Sequence, residues 1–295
     1  MADRGTIAAA ADALHVTPSA VSQQLAALER EVGHPLMEPD GRTVRLTPVA
    51  RVLVRRADAI FAEIEQLHSE VADLAGGEVG DVRVGAFATA IASLVAPAAE
   101  ELRRDAPGLT LGVAEAEAPE AFDLLGAHGL DLVISMEAPG APGHADPRFA
   151  RVDLMRDRLD VALPAGHRLA GAGEVELAAL SEETWVAPPV GWSCERVTVA
   201  ACQAAGFSPA VAHRSADWPA VVALVSAGLG VALVPRLARP APAQGVVLRP
   251  PAGEAPCRHL FVACRRGAES APSMRLVIDA LARRAKAEAE RPVML

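Results

Sequence analysis

The most regular pattern in the chain lies over residues 46–74. Leu46, Ala50, Leu53, Ala57, Ile60, Ile64, Leu67, Val71 and Leu74 follow one another at alternating spacings of four and three. That is the a/d repeat of a helix with a narrow apolar seam, sustained for about four heptads. Thr47-Pro48 starts the helix, and Gly76-Gly77 and Gly80 stop it. A helix about 40 Å long with such a seam needs a cover. A second copy of the helix supplies one at the regularity seen; packing along its own domain is the other arrangement that fits. Before the seam, Thr6 caps a short Ala-rich helix through Leu14, and His15-Val16 makes a turn. Thr17 then reads as an N-cap with Pro18 at the first helical position, and the second helix runs to about Val32 and stops at Gly33. Val21, Leu25 and Leu28 form its buried stripe, while Ser19, Ser22 and Gln23 lie opposite, near its start.

Two short helices joined by a tight turn match a helix-turn-helix. The first turn of a groove-fitting helix must offer donors and acceptors to base edges, and Thr17, Pro18, Ser19, Ser22 and Gln23 occupy that turn. Asp40-Gly41 is a hairpin signal flanked by Arg42 and Arg45, a β-wing able to reach phosphates or a minor groove. A plain helical hairpin with a charged loop fits the same residues.

From about residue 81 the period changes. A strand at Asp81–Gly85, a helix at about Ile91–Arg104, a strand at Leu109–Ala114, a helix and the strand Asp131–Ile134 alternate as α/β units with a parallel sheet do. A second set follows at Leu159–Leu163, Leu177–Leu180, Thr184–Ala187, Val197–Ala205, Val211–Arg214, Pro219–Ala227 and Val231–Val234. The chain returns through 246–248 and Leu260–Cys264 to a helix at about Ser273–Glu290. The second unit therefore sits inside the first, joined by two crossings, and small ligands bind where such lobes meet.

Composition narrows the function. The chain has 295 residues, 51% apolar and 22% charged, an ordinary globular balance of roughly two domains. Apolar runs break well before the length of a membrane span, and no basic segment precedes an apolar run at the N-terminus, so a cytoplasmic protein off the membrane is expected. Net charge is −9, and residues 1–75 hold 7 Arg against 11 acids, which excludes a non-specific polyanion binder. Only 41–56 is locally basic. Aromatics at 3%, with no Tyr, are thin material for stacking single strands. There is no HExxH, GxSxG or P-loop, and Gly228-Leu229-Gly230 lacks the third glycine and precedes a strand, so no enzyme, cofactor or metal is expected.

The run from Ala9 to Leu36, with Leu14-His15-Val16-Thr17-Pro18-Ser19-Ala20-Val21-Ser22-Gln23-Gln24-Leu25 at its centre, resembles the helix-turn-helix of LysR-type transcriptional regulators. Arg42 to Pro48 matches the family's wing and linker entry. Asp131 to Ile134, Ala204-Ala205-Gly206-Phe207 and Ser226 to Pro235 resemble its effector domain. The resemblance implies an α+β multidomain architecture. A winged helix-turn-helix DNA-binding domain at 1–46 precedes a dimerising linker helix at 47–77. A two-subdomain effector domain like a periplasmic binding protein spans 81–295, with subdomain I at about 81–158 and 249–290 and subdomain II at about 159–248. It implies double-stranded promoter DNA, a small-molecule effector, a homodimer or homotetramer and RNA polymerase as partners. The chain departs from the family at its start, where most of the first helix is missing. This is expected to be a mis-assigned or truncated start, or to leave a small-molecule-binding module with impaired DNA binding. Met37 and Pro39 stand where the family has Phe and Arg.

Within the effector domain, Phe87 and Thr89 follow the first strand and open a helix, where free N–H groups and the Thr89 hydroxyl can hold an anion. Ser135 follows another strand end, and Pro189, Trp192 and Trp218 supply walls; for each, an ordinary cap or core residue is the other reading. Some family members sense peroxide through a cysteine pair. Cys194, Cys202, Cys257 and Cys264 show no CxxC spacing and read as small buried apolar groups.

Overall fold

A computed structural model describes residues 6–14, 16–40, 43–74, 80–138, 140–238 and 245–291. Helix α1 (Ile7–Ala13) opens with the Thr6 hydroxyl accepting the Ala9 N–H at 3.1 Å, and α2 (Pro18–Val32) with Thr17 accepting from Ala20 at 3.2 Å. Each cap satisfies an amide that a helix start leaves unpaired. Gly33 ends α2 at φ 75°, a conformation in which a Cβ is strained. Ile7, Ala10 and Ala11 pack on Val21 and Leu25. Leu28, expected in the same stripe, is instead 43% exposed. Helix α1 rises only about 10 Å and covers the first turns of α2 alone.

Strands β1 (Met37–Asp40) and β2 (Thr43–Leu46) pair antiparallel, Met37 opposite Leu46. Arg42, His15 and Gly76-Gly77 lie outside the described residues. Capping side chains tie this unit together. The Glu29 carboxylate accepts from the N–H of Leu36 at 2.7 Å and of Met37 at 3.3 Å. Thr47 Oγ1 donates to Pro35 O at 2.9 Å and accepts from Ala50 N at 3.2 Å, starting α3 (Pro48–Leu74).

Along α3 the seam divides. Ala50 is buried, but Leu53, Ile60, Ile64, Leu67, Val71 and Leu74 are exposed. A different face meets the rest of the chain: Glu65 accepts from Arg265 Nε at 2.8 Å, and Ser69 Oγ lies 3.2 Å from Gly267 O. Gly267 has φ 96°, and a Cβ there would collide with the Ala62 carbonyl. The helix thus packs on its own chain through Ala62, Glu65 and Ser69 while its heptad seam stays open.

In the α/β body, β3 (Gly80–Ala86) lies parallel between β4 (Leu109–Glu115) and β5 (Leu132–Met136). The first helix begins at Ala88 rather than Ile91. It runs as α4 (Ala88–Ala90), a wide i→i+5 turn at Ile91–Val95, and α5 (Ala96–Asp105). Helix α6 (Glu120–Gly126) precedes β5. Strand β6 (Phe149–Pro164) is three times longer than the Leu159–Leu163 run its sequence suggests. Its charged first half (Arg151, Asp153, Arg156, Asp157, Arg158) carries no clear alternation and is extended by pairing with the last strand of the sheet. Its second half pairs with strands of the inner unit, so β6 is one crossing.

The inner unit holds the parallel pair β7 (Thr184–Ala187) and β8 (Ala210–Arg214), helices α7 (Ser193–Ala204) and α8 (Trp218–Ser226), and β9 (Ala232–Pro235) and β10 (Val246–Arg249) beside β6. Leu177–Leu180 is a 3-10 turn. Strand β11 (Cys257–Arg265) returns antiparallel between β6 and β5, and α9 (Pro272–Ala289) closes the body. Leu94, Leu132, Ile134 and Leu281 fill one core against α5 and α9, and Trp185, Leu159, Leu163 and Leu233 fill the inner unit's.

Candidate functional site

Two surfaces gather the residues singled out from sequence. On α2, Thr17, Pro18, Ser19, Ser22 and Gln23 are all exposed. Burial of Val21 turns the opposite side of the helix outward. The Thr17 hydroxyl is committed to its cap, and Ser22 Oγ donates to Pro18 O at 3.0 Å. Among the described residues, the side chains of Ser19 and Gln23 have no hydrogen-bond partner, leaving both for an outside one. Arg45 pairs across the hairpin with Glu38 at 2.9 Å; this exposed ion pair is worth little in water and is readily exchanged for a phosphate.

The second surface is a cavity of about 80 Å³ at the C-terminal ends of the parallel strands, where the two units of the body meet. Phe87 and Thr89 follow β3, Glu115 ends β4 with Glu117 just beyond, and Met136 ends β5. From the inner unit come Trp192 and Cys194 at the start of α7 and Trp218 at the start of α8. Of the residues expected here, Phe87, Thr89, Trp192 and Trp218 line the cavity, and Ser135 and Pro189 do not. Side chains alternate along β5, so Met136 faces the cavity while Ser135 shares the opposite face with Val133 and the Phe122–Phe261 cluster. Pro188 rather than Pro189 forms the wall.

Arg258 on β11 is the centre that sequence reasoning missed. It is buried, with Asp157 of β6 buried beside it. Arg258 Nε and Nη2 both donate to Asp157 Oδ2, the former at 3.0 Å. Nη2 also donates to Thr89 Oγ1 at 3.3 Å, and Nη1 to Cys194 Sγ at 3.4 Å. The guanidinium stacks 5.0 Å from the Phe87 ring centre. The Thr89 hydroxyl, expected to greet an anion, is thus already an acceptor for Arg258. The other Asp157 oxygen accepts the Leu237 N–H at 3.1 Å, and Ser93 Oγ donates to Leu237 O at 2.9 Å. The segment after β9 is therefore held by two side chains from the other unit, one of them the carboxylate that holds Arg258.

Burial pushes the Glu117 carboxyl above the usual carboxylate range; Arg258 opposes the shift and Glu115 adds to it. Burial likewise raises the Cys194 thiol, against the pull of Arg258. Cys202 is pushed by burial to about 12, and so is Cys264. Raised thiols are poor nucleophiles at neutral pH. Among the described residues all four cysteines are unbridged, and no cluster of ligands for a metal forms. No described helix is long and apolar enough to cross a membrane.

Comparison with known proteins bears on the family and the fold. A family model described as the LysR substrate binding domain matches residues 75–286, and one described as a bacterial regulatory helix-turn-helix protein, lysR family, matches residues 1–51. The chain is 31% identical over 227 residues to the HTH-type transcriptional regulator ShiR of Corynebacterium glutamicum, covering 76% of this chain and 75% of that one. It is 30% identical over 242 residues to a probable hydrogen peroxide-inducible genes activator of Mycobacterium avium, covering 81% of this chain and 76% of the relative. Among solved structures, a cysteine mutant of Corynebacterium glutamicum OxyR superposes with a TM-score of 0.64 at 23% identity, over 98% of this chain and 89% of that one.

Proposed function

The chain belongs to the LysR family of transcriptional regulators, with a helix-turn-helix and an effector-binding domain, and from that membership we propose how its two surfaces work together. Members of the family bind DNA and small-molecule effectors and form oligomers. The α2 surface enters the major groove of promoter DNA, Gln23 and Ser19 facing base edges and Arg45 and Arg42 reaching phosphates from the wing. The exposed seam from Leu53 to Leu74 takes a second copy of α3, giving a homodimer or, by further pairing, a homotetramer. Two α2 helices at fixed spacing then read two half-sites, which doubles a weak contact. The protein works in the cytoplasm, with RNA polymerase as its partner at the promoter.

The cavity between subdomain I (about 81–158 and 249–290) and subdomain II (about 159–248) takes the effector. Its occupation changes the angle between the two and, through the docking of α3 at Glu65 and Ser69, the spacing of the DNA-reading helices. The observation that carries this reading is the open heptad seam of α3 together with the exposed start of α2, where Ser19 and Gln23 have no side-chain hydrogen-bond partner among the described residues. The helix-turn-helix match over residues 1–51 gives no support to a binding module without DNA activity.

Gel shifts on the chain's own upstream DNA test the assignment. Gln23→Ala changes the ranking of sequences, whereas Arg45→Ala weakens all sequences alike and reduces the salt slope by about one. An equal loss on every sequence for Gln23→Ala removes the base-reading role.

A further inference from the structure

We propose that the effector of this cleft is a small organic cation, a protonated amine carried on a compact apolar body. The proposal rests on the reading of the cleft as the effector site and adds the ligand's chemical class. It follows from which charges around the cavity are already satisfied. Arg258 is the cationic side chain lining the cavity, and its charge is neutralised from behind by Asp157, with its remaining contacts on Thr89 and Cys194. Glu115 and Glu117 have no such answer: among the described residues no donor lies within hydrogen-bond distance of either carboxylate. Arg258 attracts Glu117 without a hydrogen bond, but it is already paired with Asp157, so Glu115, Glu117 and Asp157 set three carboxylates against one guanidinium. An anionic ligand would meet both glutamates. A neutral apolar ligand would seal the half-buried Glu117 away from water with no partner, which is costly. An ammonium group instead supplies donors and charge together.

The walls suit the rest of such a ligand. Trp192 and Trp218 both line the cavity, and indole is the best aromatic surface for a cation and for the alkyl or aryl body behind it. The cavity, about 80 Å³ and open to solvent, admits a compact body whose far end stays in water. The raised Glu117 carboxyl is the mark of a group that the free chain leaves under-compensated, a common state at binding sites.

The test uses the full chain and two charge-inverted pairs of probes: butylammonium against pentanoate, and phenethylammonium against 3-phenylpropanoate. Thermal unfolding and calorimetric titration are measured with each. The ammonium ions raise the melting temperature of the effector domain, by about 5–10 °C at a hundred times the dissociation constant, and the carboxylates leave it unchanged. Glu117→Gln, which keeps the shape and removes the charge, weakens ammonium binding about 10–100-fold. Stabilisation by the carboxylates, stabilisation by neither member of the pairs, or wild-type ammonium affinity in Glu117→Gln overturns the proposal. A gel shift on the same sample separates this from the regulator reading. Ammonium binding without DNA binding defeats the regulator and leaves the ligand class standing; DNA binding with a carboxylate effector does the reverse.

Discussion

Among the described residues before position 75, the buried apolar side chains are small or isolated: Ala10, Ala11, Val21, Leu36 and Ala50. The larger ones, Leu53, Ile60, Phe61, Ile64, Leu67 and Val71, face outward. Beyond position 80 the balance reverses. Trp185, Phe261, Leu94, Leu132, Leu159 and Leu233 are fully buried, and an Arg-Asp pair is enclosed with them. A domain that keeps its apolar surface inside is complete as a monomer. A segment that displays it gains most of its burial from whatever covers it, at about 25 cal/mol per Å² removed from water. The DNA-reading half is thus built to be finished by other molecules, and the effector half to be a stable body.

Introducing charge into the seam acts on the first half alone. Ile64→Asp with Leu67→Asp separates the protomers and lowers affinity for a two-half-site duplex by about 100-fold or more, the loss of bivalence, while the melting of the effector domain is unchanged. Light scattering and gel shifts read the two effects, and unaltered mass and affinity would remove the seam from the account. Breaking the enclosed pair acts on the second half alone. Asp157→Ala leaves Arg258 buried without its partner and Leu237 without its acceptor, a cost of about 3–5 kcal/mol. Calorimetry then shows the effector-domain transition falling while α2 keeps its helicity; an unmoved transition contradicts the burial of that charge.

The smallest effect is a gain. The Glu117 carboxyl is raised in the folded chain, so the stability linked to it is full below its unfolded pKa of about 4.3 and is lost as pH rises through the folded value. Glu117→Gln therefore raises the melting temperature at neutral pH by about 1–2 °C, and the advantage disappears in acid, where both forms are uncharged. A lower melting temperature at pH 7 would mean that Glu117 has a stabilising partner.

How far the sequence could be read differed with the kind of signal, in both halves alike. Thr17-Pro18, the heptad over 46–74 and the strands Thr184–Ala187 and Val211–Arg214 carry their instruction locally, in caps and periodicity, and the structure places them within a residue or two. Leu28 escaped because burial depends on the length of the neighbouring helix. Ser135 and Pro189 were each one step from the cavity, because strand parity and the turn of a loop decide which of two adjacent residues faces inward. Arg258 and Asp157 sit 101 residues apart and meet only because β11 returns beside β6. No local pattern marks either, although an Arg within an apolar strand (Arg258-His259-Leu260-Phe261-Val262) was a signal that a buried charge needed a partner.

Sedimentation of the full chain, alone and with a duplex carrying its upstream sequence, decides whether α3 pairs. An even number of protomers is expected in solution and again on the DNA. A single protomer bound to the duplex, or a monomer that stays monomeric at every concentration, would contradict that pairing.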